Sequence, residues 1–157
     1  MRSAAFIVPG RGSFAECTAE KERKSMTRAP EPNVVAIINS NEDVVEAIRL
    51  ILGDVGFITV GAHLVDFKKG RRDLVSFLQE HNPRVIVLDI APPYEENWNF
   101  FQLIQNSQAA RGRQFVLTTT NKNILEELVG KTHTIELVGK PFDLDEIVKA
   151  VQKMSKA

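Results

Sequence analysis

The chain has 157 residues, 43% of them hydrophobic and 25% charged, which fits one compact globular domain but not two. Its 20 basic residues balance its 20 acidic residues, which argues against a surface for nucleic acid or for an anionic membrane. No apolar run approaches the ~18 residues that span a bilayer, and the single cysteine, Cys17, cannot form an internal disulfide, so we expect a cytoplasmic protein.

Residues 1–32 differ from the rest of the chain. They contain six basic and four acidic residues and end in the sequence Ala-Pro-Glu-Pro. The five apolar residues at 4–8 are too few for the core of a secretory signal, which needs ~7 to 15. We predict a disordered N-terminal arm over 1–32 and a folded domain over 33–157. A translation start at Met26, which would remove most of the arm, stays open as an alternative.

From residue 33 onward, short apolar runs typical of strands alternate with segments of helical period. The predicted strands are Val34–Ile38, Phe57–Val60, Val85–Leu88, Phe115–Leu117 and Ile135–Val138. A helical segment follows each strand, with apolar residues that include Ile48, Phe77, Phe101, Leu125 and Ile147. Residues 40–43 are predicted to cap the first helix, and Asp143 with Glu146 the last. The alternation predicts a doubly wound parallel α/β sheet with its strongly apolar third strand at the centre.

Polar residues follow three of the predicted strands. Asp89 comes after the third strand, Thr118 after the fourth and Lys140 after the fifth. Because the carboxyl ends of parallel strands share one rim of the sheet, these side chains are expected to meet there. A carboxylate beside an ammonium and a hydroxyl could accept a phosphoryl group, since the cation neutralises the added charge and the hydroxyl donates to an oxygen. A structural ion pair between Asp89 and Lys140 explains the spacing equally well.

Three short sequences at these strand ends resemble the receiver domain of two-component response regulators: Leu88-Asp89-Ile90-Ala91-Pro92-Pro93, Leu117-Thr118-Thr119 and Lys140-Pro141-Phe142. The resemblance covers about residues 33–154. It implies a flavodoxin-like fold with strand order 2-1-3-4-5. It also implies that a histidine kinase or a phosphotransfer protein phosphorylates Asp89, with Thr118 and Lys140 contacting the phosphate. A cis peptide bond between Lys140 and Pro141 is implied as well.

The resemblance implies a Mg²⁺ site, and here the sequence departs from the family. Receivers bind the metal with an acidic pair at the end of the first strand, where this chain has the uncharged Asn39 and Ser40. Asp89, the backbone carbonyl of Ala91 and the Asn39 amide remain as candidate ligands. Because Mg²⁺ prefers anionic oxygen, we expect weak binding at most. One of the acidic residues at 42–43 could bend back to supply a carboxylate, although their expected role is to cap the first helix.

Three further positions depart from the family. Leu137 stands where receivers have the Tyr or Phe of their aromatic switch, so the usual output movement is expected to be missing or altered. Asn97 stands where receivers often have Gly, and Asn tolerates the positive φ that a Gly can adopt. A long connection before the second helix carries the basic cluster Lys68-Lys69-Gly70-Arg71-Arg72. We expect a solvated loop there, with docking of an acidic or phosphorylated partner as the alternative.

These observations predict a stand-alone, non-enzymatic signalling protein that accepts a phosphoryl group at Asp89. It would act on a downstream protein through the fourth helix, the fifth strand and the fifth helix. The alternative is a pseudo-receiver that binds partners without phosphorylation. A cofactor-binding enzyme is disfavoured, because neither G-x-G-x-x-G nor a P-loop follows the first strand and the chain has no G-x-S-x-G elbow. A transcription regulator would need a separate chain to contact DNA. We expect a monomer or weak homodimer without direct contact to nucleic acid or membrane.

Overall fold

The computed structural model describes residues 32–157, and the sheet and helices below lie within that range. The arm predicted for residues 1–32 falls, apart from Pro32, outside the described residues, as does Met26, so both expectations stay predictions. Within the described range, no helix combines the length and the apolar character that a membrane crossing requires.

The sheet contains five parallel strands, as the alternation of apolar runs predicts. They are β1 (Val34–Asn39), β2 (Ile58–His63), β3 (Val85–Ile90), β4 (Gln114–Thr119) and β5 (Ile135–Gly139). Their order across the sheet is β2-β1-β3-β4-β5, which confirms the predicted order and the central place of β3. The strands run past the carboxyl ends of their predicted apolar runs, so Asn39, Asp89 and Thr118 belong to strands rather than to loops.

Six α-helices accompany the strands in the described range. They are α1 (Glu42–Asp54), α2 (Leu64–Lys68), α3 (Leu74–His81), α4 (Tyr94–Gln105), α5 (Lys122–Val129) and α6 (Leu144–Ser155), and a 3₁₀ turn spans Gln108–Ala110. The sequence predicts five of them, and α2 is additional. It lies in the connection that was expected to be a loop. Its Leu64 and Phe67, one helical turn apart, are buried in the core and fix this short helix against the sheet.

Two apolar layers enclose the sheet, because successive side chains of a strand point to opposite faces. The first layer, under α1 and α6, contains Val35, Ile37, Ile48, Leu52, Val87, Val116, Ile147 and Val151. The second layer, under α2 to α5, contains Ile38, Phe67, Phe77, Leu88, Phe101, Phe115, Leu117 and Leu125. β1 and β3 are buried along their whole length, since helices cover them on both faces.

The two predicted helix caps have different outcomes. The side chain of Asn41 accepts a hydrogen bond of 2.9 Å from the backbone N–H of Asp43, which confirms the cap of α1. Asp143 occupies the N-cap position of α6, but within the described residues its side chain makes no capping hydrogen bond. Its backbone carbonyl accepts from the N–H of Glu146 at 2.9 Å instead. The predicted capping pair of Asp143 and Glu146 side chains is therefore wrong.

Leu50 and Leu52 lie on opposite faces of α1 and offer a matched test of the first layer. Leu52 is 0% exposed and Leu50 is 62% exposed. We expect Leu52→Ala to lower the free energy of unfolding by about 2–5 kcal/mol, because it removes buried methyl groups and leaves a cavity. Leu50→Ala should change it by less than about 0.5 kcal/mol. Urea unfolding measures both, and equal losses for the two variants would contradict the assigned layer.

Candidate functional site

Three strand residues at the carboxyl rim of the sheet share the face that α1 and α6 cover, and Lys140 lies close to them. Each stands two positions after an apolar residue of the first layer: Asn39 after Ile37, Asp89 after Val87, Thr118 after Val116 and Lys140 after Val138. Side chains two residues apart on a strand point to the same face. The strand alternation therefore places the first three on one face, and Lys140 follows directly after β5.

Asp89 and Thr118 face each other across β3 and β4. They are partners in the register of the two strands, and the Thr118 hydroxyl donates a hydrogen bond of 2.8 Å to Oδ1 of Asp89. Both residues are buried, with 4% and 1% of their surface exposed. A buried carboxylate needs hydrogen bonds and opposite charge to offset its lost hydration. Thr118 supplies one such hydrogen bond.

Lys140 supplies the opposite charge. Its Nζ lies 2.6 Å from Oδ1 of Asp89. The backbone N–H of Lys140 donates to the carbonyl of Thr119 at 2.7 Å, and the peptide bond to Pro141 is cis, as the resemblance implies. The structure thus brings together the three residues that the strand ends single out. Their contact with a phosphate stays a prediction.

The opposite charges of Asp89 and Lys140 cancel before any ligand enters the site. The Asp89 side chain is 3% exposed and the Lys140 side chain 27%, so one member of the ion pair is buried and the other partly solvated. Among the described residues, both Thr118 and Lys140 contact Oδ1, and Oδ2 has neither contact. The same geometry would serve a purely structural ion pair, the alternative that the spacing leaves open.

The neutral oxygens that could bind Mg²⁺ already accept hydrogen bonds from the protein. The side-chain oxygen of Asn39 accepts from the N–H of Asn41 at 2.9 Å, and the Ala91 carbonyl accepts from Nδ2 of Asn97 at 2.6 Å. Asp89 is the one carboxylate among the three candidate ligands. Between residues 32 and 157, no group of three or more His, Cys, Asp or Glu side chains is arranged to hold a metal ion. This donor set does not suit Mg²⁺, which prefers anionic oxygens in octahedral geometry.

The acidic residues after β1 do not replace the missing pair. Glu42 lies 3.6 Å from Nε2 of His63. Glu42 and Asp43 line a separate cavity of about 490 Å³ beside α1 and β2, and neither Asn39 nor Asp89 lines it. In the structure, neither acidic side chain bends back toward the rim site.

Asn97 has a role that the sequence does not reveal. Its expected tolerance of positive φ is not used, because Asn97 lies within α4 and its N–H donates to the Pro93 carbonyl at 3.2 Å. Its side chain instead makes two contacts: Asn97 is 6% exposed, its Nδ2 donates to the Ala91 carbonyl, and its Oδ1 accepts from Nζ of Lys68. Lys68 lies 29 residues earlier in the chain, so no local sequence pattern predicts the contact.

The basic cluster is partly anchored to the fold. Lys68 ends α2, and its side chain is 25% exposed and reaches Asn97. Arg72 is exposed, yet its guanidinium lies 4.7 Å from the centroid of the Phe77 ring. Lys69 is exposed. The exposure expected for a solvated loop is therefore found along the whole cluster. Lys68 differs from that expectation because it belongs to a helix and contacts Asn97 of another element.

Leu137 and Trp98 pack as apolar residues. Leu137 in β5 is partly buried against the second layer, and the expected effect of its aliphatic side chain on an output movement stays a prediction. Trp98 contacts Phe101, with ring centroids 5.3 Å apart. Because Trp98 directly follows Asn97, its fluorescence is a probe of the region after β3.

Removing Lys140 should cost more than removing an ordinary surface lysine. We expect Lys140→Met to lower the free energy of unfolding by about 1–3 kcal/mol, because it leaves the buried Asp89 carboxylate without its opposite charge. The partial exposure of Lys140 keeps this loss below that of a fully buried pair. In an Asp89→Asn background the loss should fall to about half or less. Urea unfolding measures the losses, and a loss no larger than that of the exposed control Lys149→Met would argue against the ion pair.

Comparisons with known proteins agree with the fold. No protein-family model matches the chain. Response regulator Rre1 of Synechocystis is 23% identical over 125 residues, which cover 79% of this chain and 52% of the relative, so the chain spans about half of that protein's length. Chemotaxis protein CheY4 of Vibrio cholerae matches with a TM-score of 0.59 at 19% identity, over 78% of this chain and 98% of its own.

A second solved structure gives the same result. A signal receiver domain of two-component signal transduction from Clostridium thermocellum matches with a TM-score of 0.61 at 19% identity, over 80% of this chain and 98% of its own. The solved structures show a shared fold, and Rre1 adds a sequence relative among the response regulators. Residues 32–157 therefore have the fold of response regulator receiver domains, and the chain is similar in sequence to one response regulator.

Proposed function

We propose that residues 32–157 form a receiver domain of the response regulator type, which accepts a phosphoryl group at Asp89 and transmits the signal by protein–protein contact, as a signalling module rather than an enzyme. The observation that carries the proposal is the meeting of the Asp89 carboxylate, the Thr118 hydroxyl and the Lys140 ammonium at one rim of the sheet. The similarity to receiver domains of two-component systems supports a histidine kinase or a phosphotransfer protein as the phosphoryl donor.

The three side chains have complementary parts in the transfer. Oδ2 of Asp89 attacks the phosphorus of a phosphohistidine, the P–N bond breaks, and the histidine nitrogen leaves with the electron pair and takes up a proton. The product is an acyl phosphate on Asp89. The Lys140 ammonium offsets the charge of the transferred group, and the Thr118 hydroxyl donates to one of its oxygens.

The output surface in this proposal consists of α5, β5 and α6. β5 is an edge strand of the sheet. Ile124 and Leu128, one helical turn apart on α5, are 46% and 52% exposed although both are large and apolar. Neighbouring apolar side chains that face solvent favour contact with a partner protein. A downstream protein, not yet identified, would bind here.

A phosphorylation-independent pseudo-receiver is the second candidate. It is favoured because the neutral oxygens that could bind Mg²⁺ already accept hydrogen bonds from the protein. The Asn39 and Ala91 oxygens are engaged by the protein. The Asp89 side chain is 3% exposed, so its carboxylate is poorly accessible to a phosphoryl donor. In this candidate the pair of Asp89 and Lys140 is structural, and the surface of α5, β5 and α6 binds partners without a switch.

Acetyl phosphate with Mg²⁺ separates the two candidates. Phosphoryl acceptance at Asp89 predicts that the intact mass rises by one phosphoryl group in the wild type and does not rise in Asp89→Asn. Asp143→Asn, a change at an exposed carboxylate, should react like the wild type. The pseudo-receiver predicts no adduct in any of the three proteins. An adduct that persists in Asp89→Asn would show that another residue is the acceptor.

A carboxylate pair at the end of β1 should strengthen metal binding. We expect Asn39→Asp combined with Ser40→Asp to raise the Mg²⁺ affinity about tenfold or more, because it adds two anionic groups to a site without net charge. Titration of Trp98 fluorescence with Mg²⁺ measures the affinity. Asn33→Asp adds a carboxylate before the start of β1, at the opposite rim, and should have no effect. An unchanged affinity in the double variant would show that the metal binds elsewhere.

A further inference from the structure

The side chain of Asn97 connects two segments that are far apart in the sequence. Its Oδ1 accepts a hydrogen bond from Nζ of Lys68 at the end of α2. Its Nδ2 donates a hydrogen bond of 2.6 Å to the carbonyl of Ala91, two residues after Asp89. We name this chain of contacts, from Lys68 through Asn97 to the Ala91 carbonyl, the Asn97 bridge.

Lys68 is held in place by more than its contact with Asn97. Its Nζ lies 3.5 Å from Oε1 of Glu96 and 5.9 Å from the centroid of the Phe100 ring. Its helix, α2, is fixed to the core by buried residues, among them Phe67 directly before Lys68. Lys68 is thus a cation with defined contacts, although the residue as a whole is exposed. A positive charge on the Asn97 oxygen polarises the amide and strengthens the hydrogen bond that Nδ2 donates to Ala91.

The Asn97 bridge occupies one of the three oxygens that are candidates for binding Mg²⁺. A cation that approached the Ala91 carbonyl would compete with Nδ2 for the lone pairs of this oxygen. Since Asn97 is 6% exposed, an Nδ2 group displaced from Ala91 would be left without water to bond. Binding of a cation would therefore have to overcome an existing, buried hydrogen bond.

We propose that the Asn97 bridge fixes the segment after β3 in the absence of a divalent cation and lowers the affinity of the site for one. Lys68 and Asn97 act as positioning residues for the Ala91 carbonyl. This inference deepens the proposed function, on which it rests. It assigns to Lys68, in the long connection between β2 and α3, an influence on the cation affinity of the site around Asp89.

The first measurement compares backbone amide hydrogen exchange in the wild type and three variants, in the absence of metal. In Asn97→Ala and Lys68→Met, the amides of Ala91 and Tyr94 should exchange faster, because the segment between them loses its anchor. Lys69→Met is the matched control, since Lys69 is exposed and adjacent to Lys68, and it should leave exchange unchanged. Equal exchange of these two amides in all four proteins would overturn the proposal.

The second measurement is the Mg²⁺ affinity, followed by Trp98 fluorescence in an Asn39→Asp background. We expect Asn97→Ala and Lys68→Met each to raise the affinity about 3- to 10-fold, the range that corresponds to removing one competing hydrogen bond. Lys69→Met should not change it. If neither bridge variant gains affinity over Lys69→Met, or if no variant binds Mg²⁺, the bridge does not limit binding and the proposal fails. Asn97→Ala removes a buried group, so Lys68→Met keeps the test valid if the Asn97 variant does not fold.

Neither measurement uses a phosphoryl donor, so the two proposals can fail separately. Faster exchange together with higher Mg²⁺ affinity, but no acetyl phosphate adduct, would support the Asn97 bridge and refute phosphorylation of Asp89. An adduct on Asp89 with unchanged exchange and affinity would support phosphorylation and refute the bridge.

Discussion

A carboxylate buried at the end of the central strand determines how the carboxyl rim of the sheet is arranged. Asp89 is 3% exposed, and a charge in that place is costly unless hydrogen bonds and an opposite charge compensate it. The neighbouring strand β4 supplies the Thr118 hydroxyl, and the segment after β5 supplies the Lys140 ammonium. The ion pair forms only when β3, β4 and β5 lie side by side in parallel, so the strand order and the site depend on each other.

The side of the rim toward β1 is built differently. Neutral oxygens of Asn39 and Ala91 stand where an anionic set would attract a divalent cation, and each accepts a hydrogen bond from a nearby amide. With Asp89 paired to Lys140, the site gains little from an added cation. Internal hydrogen bonds thus hold the Asn39 and Ala91 oxygens of this rim. That arrangement is compatible with both candidates, a weakly metal-dependent phosphoryl acceptor and a pseudo-receiver.

The site is close in sequence to the surface that we propose for output. Lys140 directly follows β5, the edge strand between α5 and α6, and Thr118 lies on the strand that pairs with β5. A change of charge at Asp89 would act first on these two residues. Leu137 in β5 is an aliphatic residue that packs against the second layer. Coupling from the site to the surface would therefore run through Thr118 and Lys140 rather than through a moving ring.

The sequence by itself determined the parallel α/β sheet, its strand order through the family resemblance, and the meeting of Asp89, Thr118 and Lys140. The sheet and the meeting of these three residues follow from local periodicity and from the rule that parallel strands end at one rim. Tertiary structure alone decided three features: the capping of α6, the presence of the helix α2, and the contacts of Asn97. Lys68 and Asn97 are 29 residues apart, and their contact depends on how α2 packs beside α4, which no pattern along the chain encodes.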